Sequence, residues 1–208
     1  MNEYHKIQSV FKRDADNNYK TFLFGQYSRP EFEYLADSEW TYTEKVDGTN
    51  IRVMFDGESI AFGGKSDNAQ IPKPLVKWLQ DAFIPRQGLF YPLFSEGVCL
   101  YGEGYGGKIQ KAGATYGPEQ RFVLFDVKIG DWWLQRKDVE EIAEKFCIEC
   151  VPVVGAGPLS RMIEEVREGV TSRWGDFQAE GYVARPTAEL CSRNGQRIIT
   201  KVKGKDFM

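Results

Sequence analysis

The segment Glu44-Lys45-Val46-Asp47-Gly48-Thr49-Asn50 holds the side chains best placed for chemistry. An alternating run from Trp40 to Val46 reads as a strand that delivers Lys45 to its end. Gly48 then permits a tight turn where a bulkier residue would crowd a ligand. Asp47 lies two residues beyond Lys45 and shares its face in an extended chain. A lysine fixed beside a carboxylate at the mouth of a sheet can serve as a nitrogen nucleophile. A solvated hairpin is the plain alternative, because Asp-Gly turns are common. Such a nucleophile faces an acidity problem. A free lysine of pKa ~10.4 is neutral in only about one molecule in a thousand at pH 7.4. Lowering it by about three units takes roughly 4 kcal/mol of bias against the ammonium form.

A second group of candidates lies near the C-terminus. Alternation through residues 197–203 puts Ile198, Thr200 and Val202 on one face and Lys201 with Lys203 on the other. Two neighbouring ammonium groups repel unless an anion lies between them, and a triphosphate is such an anion. Lysines that protect an edge strand are the alternative. Glu103, flanked by Gly102 and Gly104, reads either as a ligand-facing carboxylate or as a surface turn. Glu180 stands before the apolar run Gly181-Tyr182-Val183-Ala184, where a strand-end charge is the ordinary reading. Phe125 fits a core strand as well as a ligand platform.

Composition narrows the chemistry further. The chain has 208 residues, 27 Lys+Arg against 30 Asp+Glu, four cysteines and one histidine. The lone His5, expected at a mobile terminus, excludes Ser/His/Asp and Cys/His hydrolase sites and multi-histidine metal sites. Any catalysis must rest on lysines, carboxylates, metal ions or backbone. Cys147 and Cys150 have redox or half-zinc spacing, with Cys99 and Cys191 elsewhere. Without a second CxxC they read as buried, reduced thiols. No apolar run approaches the ~20 residues of a membrane span, and Met1-Asn2-Glu3 begins no secretory segment. A cytoplasmic protein with no membrane partner is expected.

The elements that must position these residues are mostly short strands. After the Trp40 strand come residues 50–55, a hairpin at Asp56-Gly57, residues 59–62, 98–101 and 121–129, and a return through Trp132-Trp133-Leu134. Residues 181–184 and 196–203 complete the set. Helices are predicted over Lys73 to Phe83, from Asp138 as a cap through Phe146, and from Leu159 to Val170. These elements predict an α+β fold in a single domain, residues 1–208. The balance of charge is uneven along it. Residues 138–168 carry eight Asp/Glu and three Lys/Arg, whereas residues 193–205 carry five cations and no acid.

Taken together, the motifs resemble the covalent nucleotidyltransferase superfamily of ATP-dependent ligases and capping enzymes, and within it the RNA ligase 2 family. The resemblance runs from Lys45 to Phe207 through five ordered segments. Lys45-Val46-Asp47-Gly48-Thr49-Asn50 resembles the KxDG nucleophile motif, with Asn50 where DNA ligases usually carry Arg. Lys65, in Gly63-Gly64-Lys65-Ser66, stands where the family often has Arg. Tyr101-Gly102-Glu103-Gly104 is similar to the motif whose Glu contacts the ribose. Phe122-Val123-Leu124-Phe125-Asp126-Val127 is similar to the segment whose ring stacks on adenine, which maps to Phe125. Glu180-Gly181-Tyr182-Val183 and Lys201-Val202-Lys203 resemble the fourth and fifth motifs.

What this resemblance implies is specific. The fold is a nucleotidyltransferase domain of antiparallel sheets flanked by helices, with the ATP site between the sheets. The catalytic residues are Lys45, Asp47, Lys201 and Lys203. The nucleotide is bound by these lysines with Glu44, Gly48, Asn50, Lys65, Glu103, Phe125 and Glu180. Mg²⁺ or Mn²⁺ is held at Glu103 and Glu180 through water, and burial with the metal is expected to make Lys45 nucleophilic. RNA with 5′-phosphate and 3′-hydroxyl ends is the implied partner, met by Lys108, Gln110, Lys111, Arg193, Arg197 and Lys205. The acidic helical faces then turn away from RNA, and a monomer is expected. Nicked duplex RNA is the implied substrate. With only five residues after Lys203, no appended OB or helical domain is expected. The rival classes are another covalent nucleotidyltransferase, such as a minimal DNA ligase or guanylyltransferase, and a non-catalytic nucleic-acid-binding module of the same fold.

Overall fold

The computed structural model describes residues 3–207. The chain forms two compact units, a central one from residues 3–5 and 47–151 and a flanking one from residues 6–46 and 152–207. In chain order the flanking unit opens with β1 (Gln8–Ser9), β2 (Phe11–Arg13), β3 (Phe22–Tyr27), α1 (Pro30–Tyr34) and β4 (Trp40–Glu44). The central unit follows with β5 (Thr49–Phe55), β6 (Ile60–Gly63), α2 (Lys73–Phe83), α3 (Phe90–Leu93), β7 (Val98–Tyr105), β8 (Arg121–Ile129), β9 (Trp132–Trp133), α4 (Arg136–Phe146) and β10 (Glu149–Cys150). The flanking unit ends with β11 (Val153–Gly157), α5 (Leu159–Glu168), β12 (Gly181–Pro186) and β13 (Thr200–Lys203). The architecture is α+β, as the motif order implies.

In the central unit the sheet order is β10-β8-β7-β5-β6, with β9 on β8. Every pairing is antiparallel except β10 on β8. Its core is legible from spacing. Leu75, Leu79 and Phe83 form one stripe on α2, and Val139, Ile142, Ala143 and Phe146 form one on α4. Both stripes join Ile51, Val53, Phe55, Phe122 and Leu124 of the sheet in one apolar cluster. Each Val, Leu, Ile or Phe among them contributes about 1.5–3 kcal/mol by leaving water.

The start of α4 differs from expectation. Gln135, not Asp138, occupies the N-cap, and no side chain caps the helix. Asp138 lies in the first turn instead, where a negative charge suits the exposed N–H groups. Cys147 closes the same helix in the left-handed region, at φ 51°. The expectation of buried thiols is also corrected: Cys99 is buried, Cys150 is partly buried, and Cys147 and Cys191 are exposed. The helix end carries Cys147 outward, which its apolar neighbours do not reveal. His5 is no loose terminus either. Its ring packs 4.6 Å from Tyr4 and edge-on to Trp133 at 5.5 Å.

The sheet of the flanking unit has the order β1-β13-β12-β4-β11, and β2 pairs with β3 in a separate hairpin. The pairing of β1 with β13 is parallel and the rest are antiparallel. Leu159, Met162 and Val166 of α5 pack in a cluster with Trp40, Tyr42, Tyr182 and Val202. Gly169, at φ 96°, ends α5 before Val170. The last strand is shorter than predicted: it begins at Thr200, while Arg197 makes only an isolated bridge to Cys191. Its alternation survives, with Thr200 and Val202 buried and Lys201 and Lys203 partly exposed.

Candidate active site

β4 lies between β12 and β11, and its register sets the position of Lys45. The Lys45 N–H donates to the Gly181 carbonyl at 2.8 Å, so the ladder continues one residue past the strand. Antiparallel pairing then places Gly181 opposite Lys203. This crossing needs a glycine. Gly181 has φ 148°, and a Cβ there would meet the Val202 carbonyl oxygen at 2.1 Å. Glu180 is thereby set between two lysines. Its carboxylate accepts from Lys45 Nζ at 2.5 Å and pairs with Lys203 Nζ at 2.5 Å.

Burial alone would raise the pKa of Glu180, but Lys45 and Lys203 hold it below its ordinary value. Lys201 lies in the same cluster. Burial pushes its pKa down to about 8, and the charges of Lys203 and Lys45 push the same way against Glu180 and Asp206. The free chain thus sets three lysines around Glu180, with Asp206 near them but paired to Arg13. A further polyanion would relieve their repulsion, as a phosphate group does in many sites.

Glu44 has a different place from the one the resemblance implies. It is 2% exposed, and its two oxygens accept from the Ser172 hydroxyl at 2.6 Å and the Arg173 N–H at 2.7 Å. Its carboxylate is committed to holding the 172–173 turn. Pairing across β12 and β4 sets Glu44 opposite Tyr182.

The remaining motif residues belong to the central unit. The Asp47 N–H donates to the Tyr116 hydroxyl, and the Gly48 carbonyl accepts from Gln110 Nε2 at 2.9 Å. A Cβ on Gly48 would stand 2.2 Å from the Gly104 carbonyl oxygen and 2.8 Å from Glu103 Cγ. Glycine is required there by the close approach of β7. Asn50 and Glu103 are register partners across β5 and β7. Asn50 Oδ1 is buried without a hydrogen-bond partner among the described residues. A buried acceptor left open is costly within a fold and is suited to a ligand hydroxyl or water. Phe125 sits where the β7–β8 register slips: Asp126 faces Tyr101, but Leu124 faces Gly102. A bulge at this point turns a strand residue out of the regular alternation. Tyr4 meets the Phe125 ring edge-on at 5.0 Å and donates its hydroxyl to Asp126 at 2.5 Å.

Among the expected RNA contacts, Lys108, Lys111, Arg193 and Lys205 are exposed. Gln110 is exposed too, though its amide is engaged with Gly48. Arg197 needs correction. Its side chain is 2% exposed and pairs with Glu189 at 2.6 Å, so it serves the fold and not a surface. Lys65 is exposed. The buried arginine beside it was not anticipated: Arg52 donates to the Gly64 carbonyl at 2.9 Å and pairs with Asp67 at 2.7 Å, bracketing Lys65. An arginine on an apolar strand was the available signal. Asp206 was missed as well; it joins Arg13 to the Lys203 N–H, and nothing local in sequence marks it.

The RNA ligase family model matches residues 38–203, which span every motif described above. The chain belongs to the RNA ligase family. Solved RNA ligase structures share its fold at low identity. A Naegleria gruberi RNA ligase variant with ATP and Mn superposes with a TM-score of 0.69 at 15% identity, covering 98% of this chain and 56% of that one. Another variant of the same enzyme, with AMP and Mn, gives 0.69 at 16% identity over 98% and 56%. The enzyme with PPi gives 0.67 at 18% identity over 98% and 58%. The chain therefore spans somewhat over half the length of those proteins. No curated protein sequence matches it significantly.

Proposed function

We propose that the chain is an ATP-dependent RNA ligase acting through a lysyl-AMP intermediate on Lys45. The observation that carries this reading is the single carboxylate, Glu180, shared by Lys45 and Lys203 with Lys201 alongside. Such a cluster offers a nucleophilic amine next to a phosphate-binding pair. In the first step Lys45 loses its proton and its Nζ bonds to the α-phosphorus, while the bond to pyrophosphate breaks. An RNA 5′-phosphate oxygen then takes the AMP and frees Lys45. A 3′-hydroxyl finally displaces AMP and joins the two ends. Nicked duplex RNA is the substrate that the family resemblance favours.

Each residue has a defined task in this scheme. In the free chain Lys45 is paired with Glu180, so their pairing must loosen before attack. Lys201 and Lys203 neutralise phosphate charge as it shifts toward the leaving group. The central unit by itself carries Asn50 and Glu103 as register partners, with the open Asn50 Oδ1 suited to a hydroxyl. The residues fit a hard divalent ion held largely by phosphate and water. Glu180 is an oxygen donor beside the lysines that would hold the phosphates, and the described residues contain no group of three or more His, Cys, Asp or Glu that could cage a metal. Mg²⁺ or Mn²⁺, when bound, supplies charge neutralisation at the phosphates. The ATP, AMP and Mn named with the Naegleria structures support this choice.

The test is incubation with Mg²⁺ and ATP or GTP, followed by intact mass measurement, and then nicked RNA beside nicked DNA. An AMP adduct and sealed RNA support the reading. Adduct from GTP alone, or sealing of DNA alone, overturns it.

A further inference from the structure

The hairpin β2–β3 carries an aromatic surface that the proposed chemistry does not use. Phe24 is 60% exposed, although it belongs to a cluster with Phe11, Phe22 and Phe207. Phe207 lies against it in a stacked arrangement, 5.8 Å between centroids and 22° between planes. The cluster is firmly built beneath. The Arg13 guanidinium lies over the Phe22 ring at 5.0 Å and pairs with Asp206 at 2.5 Å. Asp206 is buried, and its other oxygen accepts from the Lys203 N–H at 3.1 Å. The hairpin is thus tied to the end of the strand that bears Lys201 and Lys203.

Its charge indicates the occupant. Residues 6–29 carry five Lys/Arg and two Asp/Glu, of which Arg13 and Arg29 are committed to Asp206 and Glu31. Lys12 and Lys20 are exposed on the hairpin, and Lys205 is exposed on the turn that leads to Phe207. An exposed ring on a segment that carries exposed cations, tied to the strand of the proposed phosphate-binding pair, has the composition of a stacking platform for a single nucleic-acid strand. A purely apolar protein partner would not call for the cations.

We infer that Phe24, backed by Phe207, is a base-stacking platform for an unpaired nucleotide at a single-stranded end of the RNA. Lys20 and Lys205 would meet the backbone phosphates. This inference rests on the reading of the chain as an RNA ligase, and its test separates the two. The full chain is titrated into short single-stranded RNA carrying fluorescein, and into the same RNA carrying 2-aminopurine. Wild type, Phe24→Ala and Phe24→Tyr are compared, and adduct formation with ATP is measured on each. Phe24→Ala should weaken RNA binding by about 5- to 150-fold and abolish 2-aminopurine quenching. Phe24→Tyr should restore both, and all three should form the adduct equally. Equal RNA affinity for Phe24→Ala overturns the platform, as does wild type that forms the adduct but binds no RNA. Loss of a wild-type dimer in Phe24→Ala, with RNA affinity unchanged, would make the surface a protein interface and also overturns it. Weakened RNA binding by Phe24→Ala alone, with no adduct in any of the three proteins, instead sinks the ligase reading and leaves the platform standing.

Discussion

Raising the pH should weaken phosphate binding through one residue, Lys201. Its pKa in the free chain is about 8, against an ordinary 10.5. The amine is therefore about 90% charged at pH 7 and about 3% charged at pH 9.5. If bound phosphates return it to its ordinary value, binding takes up a proton across this window. Linkage then lowers the affinity by roughly 30-fold between pH 7 and 9.5. A non-cleavable ATP analogue with a methylene between the α and β phosphates, measured by calorimetry, reports binding without adduct formation. Lys201→Arg keeps its charge throughout and should remove most of the fall. A flat wild-type profile, or an equal fall in Lys201→Arg, refutes the reasoning. The sign for folding is opposite. Between about 8 and 10.5 the unfolded chain keeps a proton that the folded chain has lost, so this group's contribution to stability rises with pH.

Three other substitutions test the remaining assignments. Glu44→Gln replaces one acceptor of two buried donors with an amide and should cost about 2 kcal/mol in urea denaturation; unchanged stability with a raised KM for ATP would return Glu44 to the nucleotide. Gly48→Ala forces a Cβ into the Gly104 carbonyl, and thermal melting should show a loss of several degrees together with loss of adduct; a normal melting point would contradict the close approach. The folded pKa of Glu180 lies below its ordinary 4.5, so its stabilising contribution holds above that value and is lost as pH falls through the folded pKa. Glu180→Gln should flatten that acid limb in a pH series of denaturation midpoints, and an unaltered limb would show that the ion pairs contribute nothing.

How much of this was legible depended on whether the cause was local. α2 spans Lys73–Phe83 and β8 spans Arg121–Ile129, as spacing alone indicates, because periodic burial on one face writes itself into the sequence. The motif lysines were legible for the same reason: Lys201 and Lys203 must share a face if Val202 is buried. The hairpin β2–β3, α1 and β11 were not anticipated, since they are short and their partners lie elsewhere in the chain. Glu44 shows the limit most clearly. Its position in the motif suggests a ligand contact, whereas Ser172 and Arg173, over a hundred residues away, claim its oxygens. The bulge at Phe125 and the burial of Arg197 against Glu189 likewise depend on contacts that no window of sequence contains. Division into two units was equally hidden, because the chain leaves one at residue 46 and rejoins it at residue 152.

The central claim is that Lys45 is the amine that becomes covalently attached to AMP. Intact mass spectrometry of the full chain after incubation with ATP and Mg²⁺, followed by peptide mapping, measures this directly. The account predicts one AMP per chain, located on Lys45 and absent from Lys45→Ala. AMP carried by Lys201 or Lys203, or an adduct that survives Lys45→Ala, would contradict it.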